Sequence, residues 1–165
     1  ARGRAGLKVA ILMYEENARK INATLEAINP AASADIIALG RTDSMLQARD
    51  KLDEGYLVGM LADRGLGDDA TVDCDFLGKP APFPLGPFRM AAMLRRPVFF
   101  MTGLYLGGNR YQLHFEPIAD FSQTTREERD TAIHAAMQHY ADRLTHYCRL
   151  APYNWFNFFD FWQKK

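Results

Sequence analysis

Leu7 to Tyr14 (LKVAILMY) is an almost unbroken apolar run, which predicts a strand buried on both faces, as in a parallel sheet covered by helices. From Glu15 to Ile28 the period changes. Ala18, Ile21, Leu25 and Ile28 recur at spacings of three and four, predicting a helix that Asn29-Pro30 stops. Asp35 to Leu39 (DIIAL) predicts a second strand ending at Gly40. Thr42, Asp43 and Ser44 then offer N-caps to a helix carrying Met45, Leu46, Ala48 and Leu52 and closed by Gly55. Tyr56 to Ala62 (YLVGMLA) predicts a third buried strand. Strands alternating with helices at such short spacing follow the right-handed βαβ rule, so they should lie parallel with their carboxyl ends along one edge.

Asp63 to Leu85 reads as a long connection, and loops of that length are often functional. Its second half, DFLGKPAPFPLG, is apolar yet broken by Pro and Gly, so something greasy should lie against it, either core or a ligand's hydrocarbon. A helix is expected from about Pro87 to Arg95, with Pro in its first turn, and a strand from Pro97 to Leu106. Gly107-Gly108-Asn109 turns that strand into Tyr111 to Glu116, whose alternation (YQLHFE) predicts an antiparallel hairpin partner. Thr125 and Glu128 form a capping box for a helix running to about Leu150, with Ile133, Met137, Tyr140, Leu144 and Tyr147 as its apolar stripe. In the tail YNWFNFFDFW, Asn154, Asn157 and Asp160 recur every three residues, which favours packing over a membrane-interface anchor. The expected fold is α/β: a mostly parallel mixed sheet flanked by helices, with an antiparallel hairpin strand.

Composition narrows the function. The chain has 165 residues, 48% of them hydrophobic, enough for a single domain over residues 1–165. Twenty basic and twenty acidic residues cancel, so a general grip on nucleic acid is not expected and any anion must be held by a local cluster. Cys74 and Cys148 form no zinc-ligand spacing or disulfide framework, so a reducing, intracellular setting fits. The longest apolar stretch, Pro97 to Leu106, is about half the ~20 residues that cross a bilayer. The opening ARGRAGLKVA, with no initiator Met, suggests a fragment.

In an open parallel sheet, ligands gather beyond the carboxyl ends of the strands. There the sequence places Glu15 and Glu16, Arg41, and the pair Asp63-Arg64, while Arg89 sits one turn into the helix opened by Gly86-Pro87. Guanidinium groups match phosphate oxygens in pairs, so Arg41, Arg64 and Arg89 with that helix N-terminus could hold a phosphate. Strand-end arginines equally often do no more than pair with neighbouring carboxylates. His134, His139 and His146 lie on the long C-terminal helix and His114 in the hairpin, away from that edge; His139 and Asp142 read as a surface pair. No G-x-S-x-G, G-x-G-x-x-G or P-loop is present, and no catalytic set is complete.

Three stretches, SMLQARDKLDEGYLVGMLADRG, VDCDFLGKPAPFPLGPFRMAAMLRRPVFFMTGLY and APYNWFNFFDFW, together resemble the lysophospholipid acyltransferase superfamily, and within it the bacterial lipid A biosynthesis lauroyl and myristoyl acyltransferases. The likeness spans roughly residues 44 to 162. It implies a glycerol-3-phosphate-acyltransferase-like fold and a family signature H-x-x-x-x-D/E, in which His is the base toward an acceptor hydroxyl that attacks an acyl thioester. No His here has Asp or Glu five positions later, and His114 comes nearest, with Asp120 six away. The resemblance therefore implies that the N-terminal part with the catalytic dyad is missing and that this portion is inactive alone. It further implies that Asp63 and Arg64 match the family's third block, binding acceptor or donor phosphate, with Arg41 as the upstream arginine. Phe76, Phe83, Leu85 and Phe88 are then candidates to line an acyl channel.

The function so implied is transfer of a fatty acyl group from an acyl-carrier-protein or coenzyme A thioester to a hydroxyl of a lipid or glycolipid precursor, at the cytoplasmic face of the inner membrane, with no metal or bound cofactor needed. A non-catalytic lipid or acyl-carrier binding module fits the same residues. A nucleotide-binding α/β domain ranks third, for want of the glycine fingerprint.

Overall fold

The structure, a computed structural model, describes residues 7–14, 35–41, 43–65, 69–158 and 160–162. The helix expected over Glu15 to Ile28, the Glu15-Glu16 pair and the Thr42 cap lie outside them. The chain divides into two compact units, Ala1–Leu61 and Ala62–Lys165.

In the first unit β1 (Val9–Tyr14) lies between β2 (Asp35–Leu39) and β3 (Leu57–Met60), parallel to both. Central β1 buries Ala10 and Leu12, whereas β3, outermost among the described residues, leaves Leu57 exposed, so the third strand is not the buried one expected. Helix α1 (Ser44–Asp53) packs on this sheet through Ala48. Its Ser44 hydroxyl sits 2.6 Å from the Ala38 carbonyl and 2.8 Å from that of Arg41. Asp43 precedes the helix without capping it: its carboxylate takes a hydrogen bond from Gln47 instead, at 2.7 Å. Gly55, at φ +81°, ends the helix as expected, with the Tyr56 N–H reaching back to the Lys51 carbonyl at 2.9 Å.

The second unit corrects the expected long connection. Residues 71–84 form a hairpin of β4 (Thr71–Phe76) and β5 (Lys79–Pro84), joined at Leu77 and Gly78, both at positive φ. Phe76 and Lys79 flank this turn and exchange hydrogen bonds, so the register puts Pro80, Pro82 and Pro84 opposite Asp75, Asp73 and Thr71 at the non-hydrogen-bonded positions. There a residue's N–H would point away from β4, and the prolines remove three donors from an outer edge at no cost to the ladder. On the other side the Gln138 amide meets the backbone of Asp75, accepting its N–H at 2.9 Å and donating to its carbonyl at 3.1 Å, as a further strand would.

Helix α2 (Gly86–Met93) follows, closed by Arg95 in the left-handed region at φ 54°. Then β6 (Pro97–Tyr105) pairs antiparallel with β7 (Tyr111–Asp120). Among the described residues these strands make three separate sheets, not one mixed sheet. Hydrophobic alternation reports which face of a strand is apolar, not which strand lies at its edge. One face of β6–β7 carries Phe100 and Leu104 into the core, while Phe99, Met101, Leu113 and Phe115 on the other are exposed. Helix α3 (Arg129–Leu150) covers the core with the expected stripe, Ile133, Met137, Leu144 and Tyr147 buried and Tyr140 half-buried. The Thr125 and Glu128 side chains bond each other's residues as a capping box does, one turn before the helix begins.

Candidate functional site

Asp63 and Arg64 follow β3 directly, at the start of the second unit. Asp63 is one of two buried polar or charged residues among those described. A buried carboxylate must be hydrogen-bonded, and two groups do this. Arg64 donates through Nε to Oδ1 at 3.2 Å and through Nη2 to Oδ2 at 2.9 Å, a two-point fork. The Trp155 indole N–H donates to Oδ2 from 92 positions along the chain, at 3.3 Å. The pair is asymmetric: 11% of the Asp63 side chain is exposed against 41% of Arg64. Asp63 is the anchored end and the guanidinium looks outward.

The surroundings are apolar. The Trp155 ring lies 5.1 Å from those of Phe76 and Phe161, so the donor's position is set by core packing. The hydrogen bond to Asp63 raises the Arg64 pKa above its ordinary value, keeping it a cation. Burial, with Asp63's charge adding, pushes the nearby Tyr140 hydroxyl up, and the same two effects push the Cys148 thiol to about 11. Neither serves as a base near neutral pH. Gly65 keeps the chain close here, since a Cβ would stand 3.2 Å from Asp69.

Arg89 is exposed on the first turn of α2. Arg41 belongs to the first unit, where its Nε lies 3.4 Å from Asp43 Oδ1. Thus the structure joins Asp63 with Arg64, while Arg41 has its own carboxylate partner. Phe76, Phe83 and Phe88 are fully buried, Phe76 and Phe83 edge to face at 5.6 Å, and Leu85 is half-buried beside them. The expected His139–Asp142 surface pair does not form: His139 Nδ1 lies 3.1 Å from the Ile118 carbonyl and Asp142 accepts from Gln138.

The tail splits by face. Trp155, Phe161 and Trp162 pack on Phe76, whereas Tyr153, Phe156 and Phe158 are exposed. Trp155 was not among the candidates read from sequence; the closing stretch APYNWFNFFDFW marked its segment but nothing local marked its partner. No group of His, Cys, Asp or Glu among the described residues is arranged to hold a metal ion, and no described helix is long and apolar enough to cross a membrane.

No curated protein matches the chain at a significant level. A family model does, over residues 8–164, and the chain belongs to that family: the bacterial lipid A biosynthesis acyltransferases.

Proposed function

We propose that the whole protein moves a fatty acyl group from an acyl-carrier-protein or coenzyme A thioester to a hydroxyl of a lipid A-type glycolipid precursor, and that these residues supply much of its substrate binding. A base takes the hydroxyl proton, the oxygen forms the ester bond at the thioester carbonyl, and the thiolate leaves. No His of the chain has an acidic residue five positions on, so the base of the H-x-x-x-x-D/E dyad comes from outside residues 1–165.

One observation carries the reading, in a chain of this family: a guanidinium held along one edge by a buried carboxylate, with 41% of its side chain exposed. Arg64 so placed takes a phosphate of the acceptor or donor, and Arg89 supplies further positive charge. The acyl chain runs along Leu85, with Phe76, Phe83 and Phe88 as the wall behind it; at about 0.8 kcal/mol per buried CH₂ a long chain is retained strongly. The exposed rings of Tyr153, Phe156 and Phe158 support a seat on the inner-membrane surface, at its cytoplasmic face.

Arg64→Ala in the whole protein tests this. The expected result is a KM higher by about 10- to 100-fold, the loss of one or two charged hydrogen bonds. An unchanged KM for both substrates rules the site out. The missing base also fits a lipid or acyl-carrier binding module; whole protein that binds an acyl-carrier thioester yet never turns it over would establish that instead.

A further inference from the structure

We infer that Trp155 is a positioning residue for Arg64, acting through Asp63, so that the C-terminal segment sets the geometry of the anion site. The inference rests on the reading of Arg64 as the phosphate-binding group. A guanidinium has five N–H donors. Asp63 takes the Nε–H and one Nη2–H, leaving the edge formed by Nη1 and the second Nη2–H for a ligand. That edge points usefully only if the carboxylate itself cannot turn.

Arg64 alone does not stop such a turn. Asp63 and Arg64 are neighbours in sequence, on a stretch that forms no strand or helix, and a two-point pair can rotate as one body about both side-chain torsions. Trp155 supplies the third point. Its indole N–H sits on Oδ2, the oxygen that also receives Nη2, and its ring cannot follow a moving carboxylate because Phe76 and Phe161 hold it. Phe76 is fully buried and packs against Trp162 as well. An exposed cation is thereby referred to the aromatic core through one indole bond, the kind of support that keeps a binding group in its productive orientation.

Trp155→Phe keeps the ring and deletes the donor. In the whole protein, assayed for acyl transfer, KM for the phosphate-bearing substrate should rise about 3- to 10-fold, the worth of one hydrogen bond, with kcat within about two-fold of wild type. A merely structural tryptophan would lower the melting temperature and leave KM where it was. An Arg64→Ala protein with raised KM beside a Trp155→Phe protein with wild-type KM overturns the inference while keeping the phosphate site. An unchanged KM in both overturns the phosphate site itself.

Should Trp155→Phe not fold, a spectroscopic test on native Trp155 decides. In a Trp162→Phe background Trp155 is the remaining tryptophan of this chain, and titration with inorganic pyrophosphate should shift its emission. Asp63→Asn should abolish the shift. No shift on saturation, with pyrophosphate still competing against substrate, overturns the inference.

Discussion

The second unit contains two assemblies made of the same parts, a carboxylate, an arginine and an aromatic donor. In one, Asp63 holds Arg64 and Trp155. In the other, Glu116 on β7 holds Arg143 and the Tyr147 hydroxyl on α3. In the first the acid and arginine are sequence neighbours, with the indole 92 positions away, and the arginine is exposed far more than the acid, 41% against 11%. The second joins residues 27 to 31 apart and exposes both charges about equally, at 27% and 29%. Phe100 stacks on Tyr147 at 5.5 Å and His114 lies 4.8 Å from it, so this aromatic too is fixed by packing. The difference teaches where each assembly spends its interactions. Glu116 and Arg143 pair across two elements and tie a helix to a strand. Asp63 uses one edge of Arg64, whose side chain stays largely exposed.

The largest effect should come from the core behind the first assembly. Phe76→Ala removes a ring that touches Phe83, Trp155, Phe161 and Trp162, and should cost about 3–5 kcal/mol in denaturant unfolding. If Phe76 also backs Trp155, the folded fraction should show a raised KM. A large stability loss with native KM would detach the core from the site.

Next comes a direct exchange between the two arginines. Arg64→Ala should raise KM and barely move the melting temperature; Arg143→Ala should leave KM near wild type and lower the melting temperature by about 2–4 °C. Equal effects of both substitutions on KM would break the comparison, since Arg143 would then belong to the binding surface.

How much of this was readable beforehand follows from the range of each signal. The strands β1 and β2 were legible because buried parallel strands are apolar throughout, β3 was legible as an apolar run although none of its residues is buried, and α1 because Gly55 marks its end. The β6–β7 hairpin was legible from the Gly107-Gly108-Asn109 turn and the alternation that follows it. The β4–β5 hairpin was missed because Pro80, Pro82 and Pro84 read as a broken chain, and Leu77-Gly78 is not a usual two-residue turn. A signal was present: Val72, Cys74 and Phe76 alternate with exposed residues, and Ala81 and Phe83 alternate with the prolines. Asp63-Arg64 stood out by position at a strand end. Trp155 did not, because a contact across 92 residues leaves no local period.

The smallest expected effect concerns pH, and it sharpens the account of the second assembly. Hydrogen bonds from Tyr147 and then Arg143 hold the Glu116 pKa below its ordinary 4.5. The unfolded chain therefore binds a proton more readily than the fold does. Glu116 contributes fully above the ordinary carboxylate range, and the contribution is lost as pH falls through the lowered folded value. Asp43, Asp120 and Glu128 are lowered as well, so acid weakens the fold through several groups and the wild-type curve alone assigns nothing to Glu116. Glu116→Gln isolates it. The amide oxygen still accepts from Tyr147 while the charge facing Arg143 is gone, so the variant should melt about 1–3 °C below wild type at neutral pH. That gap should close as pH falls through the lowered folded value, where wild-type Glu116 also becomes neutral. A gap that persists undiminished into acid would mean that shape, not charge, joins β7 to α3.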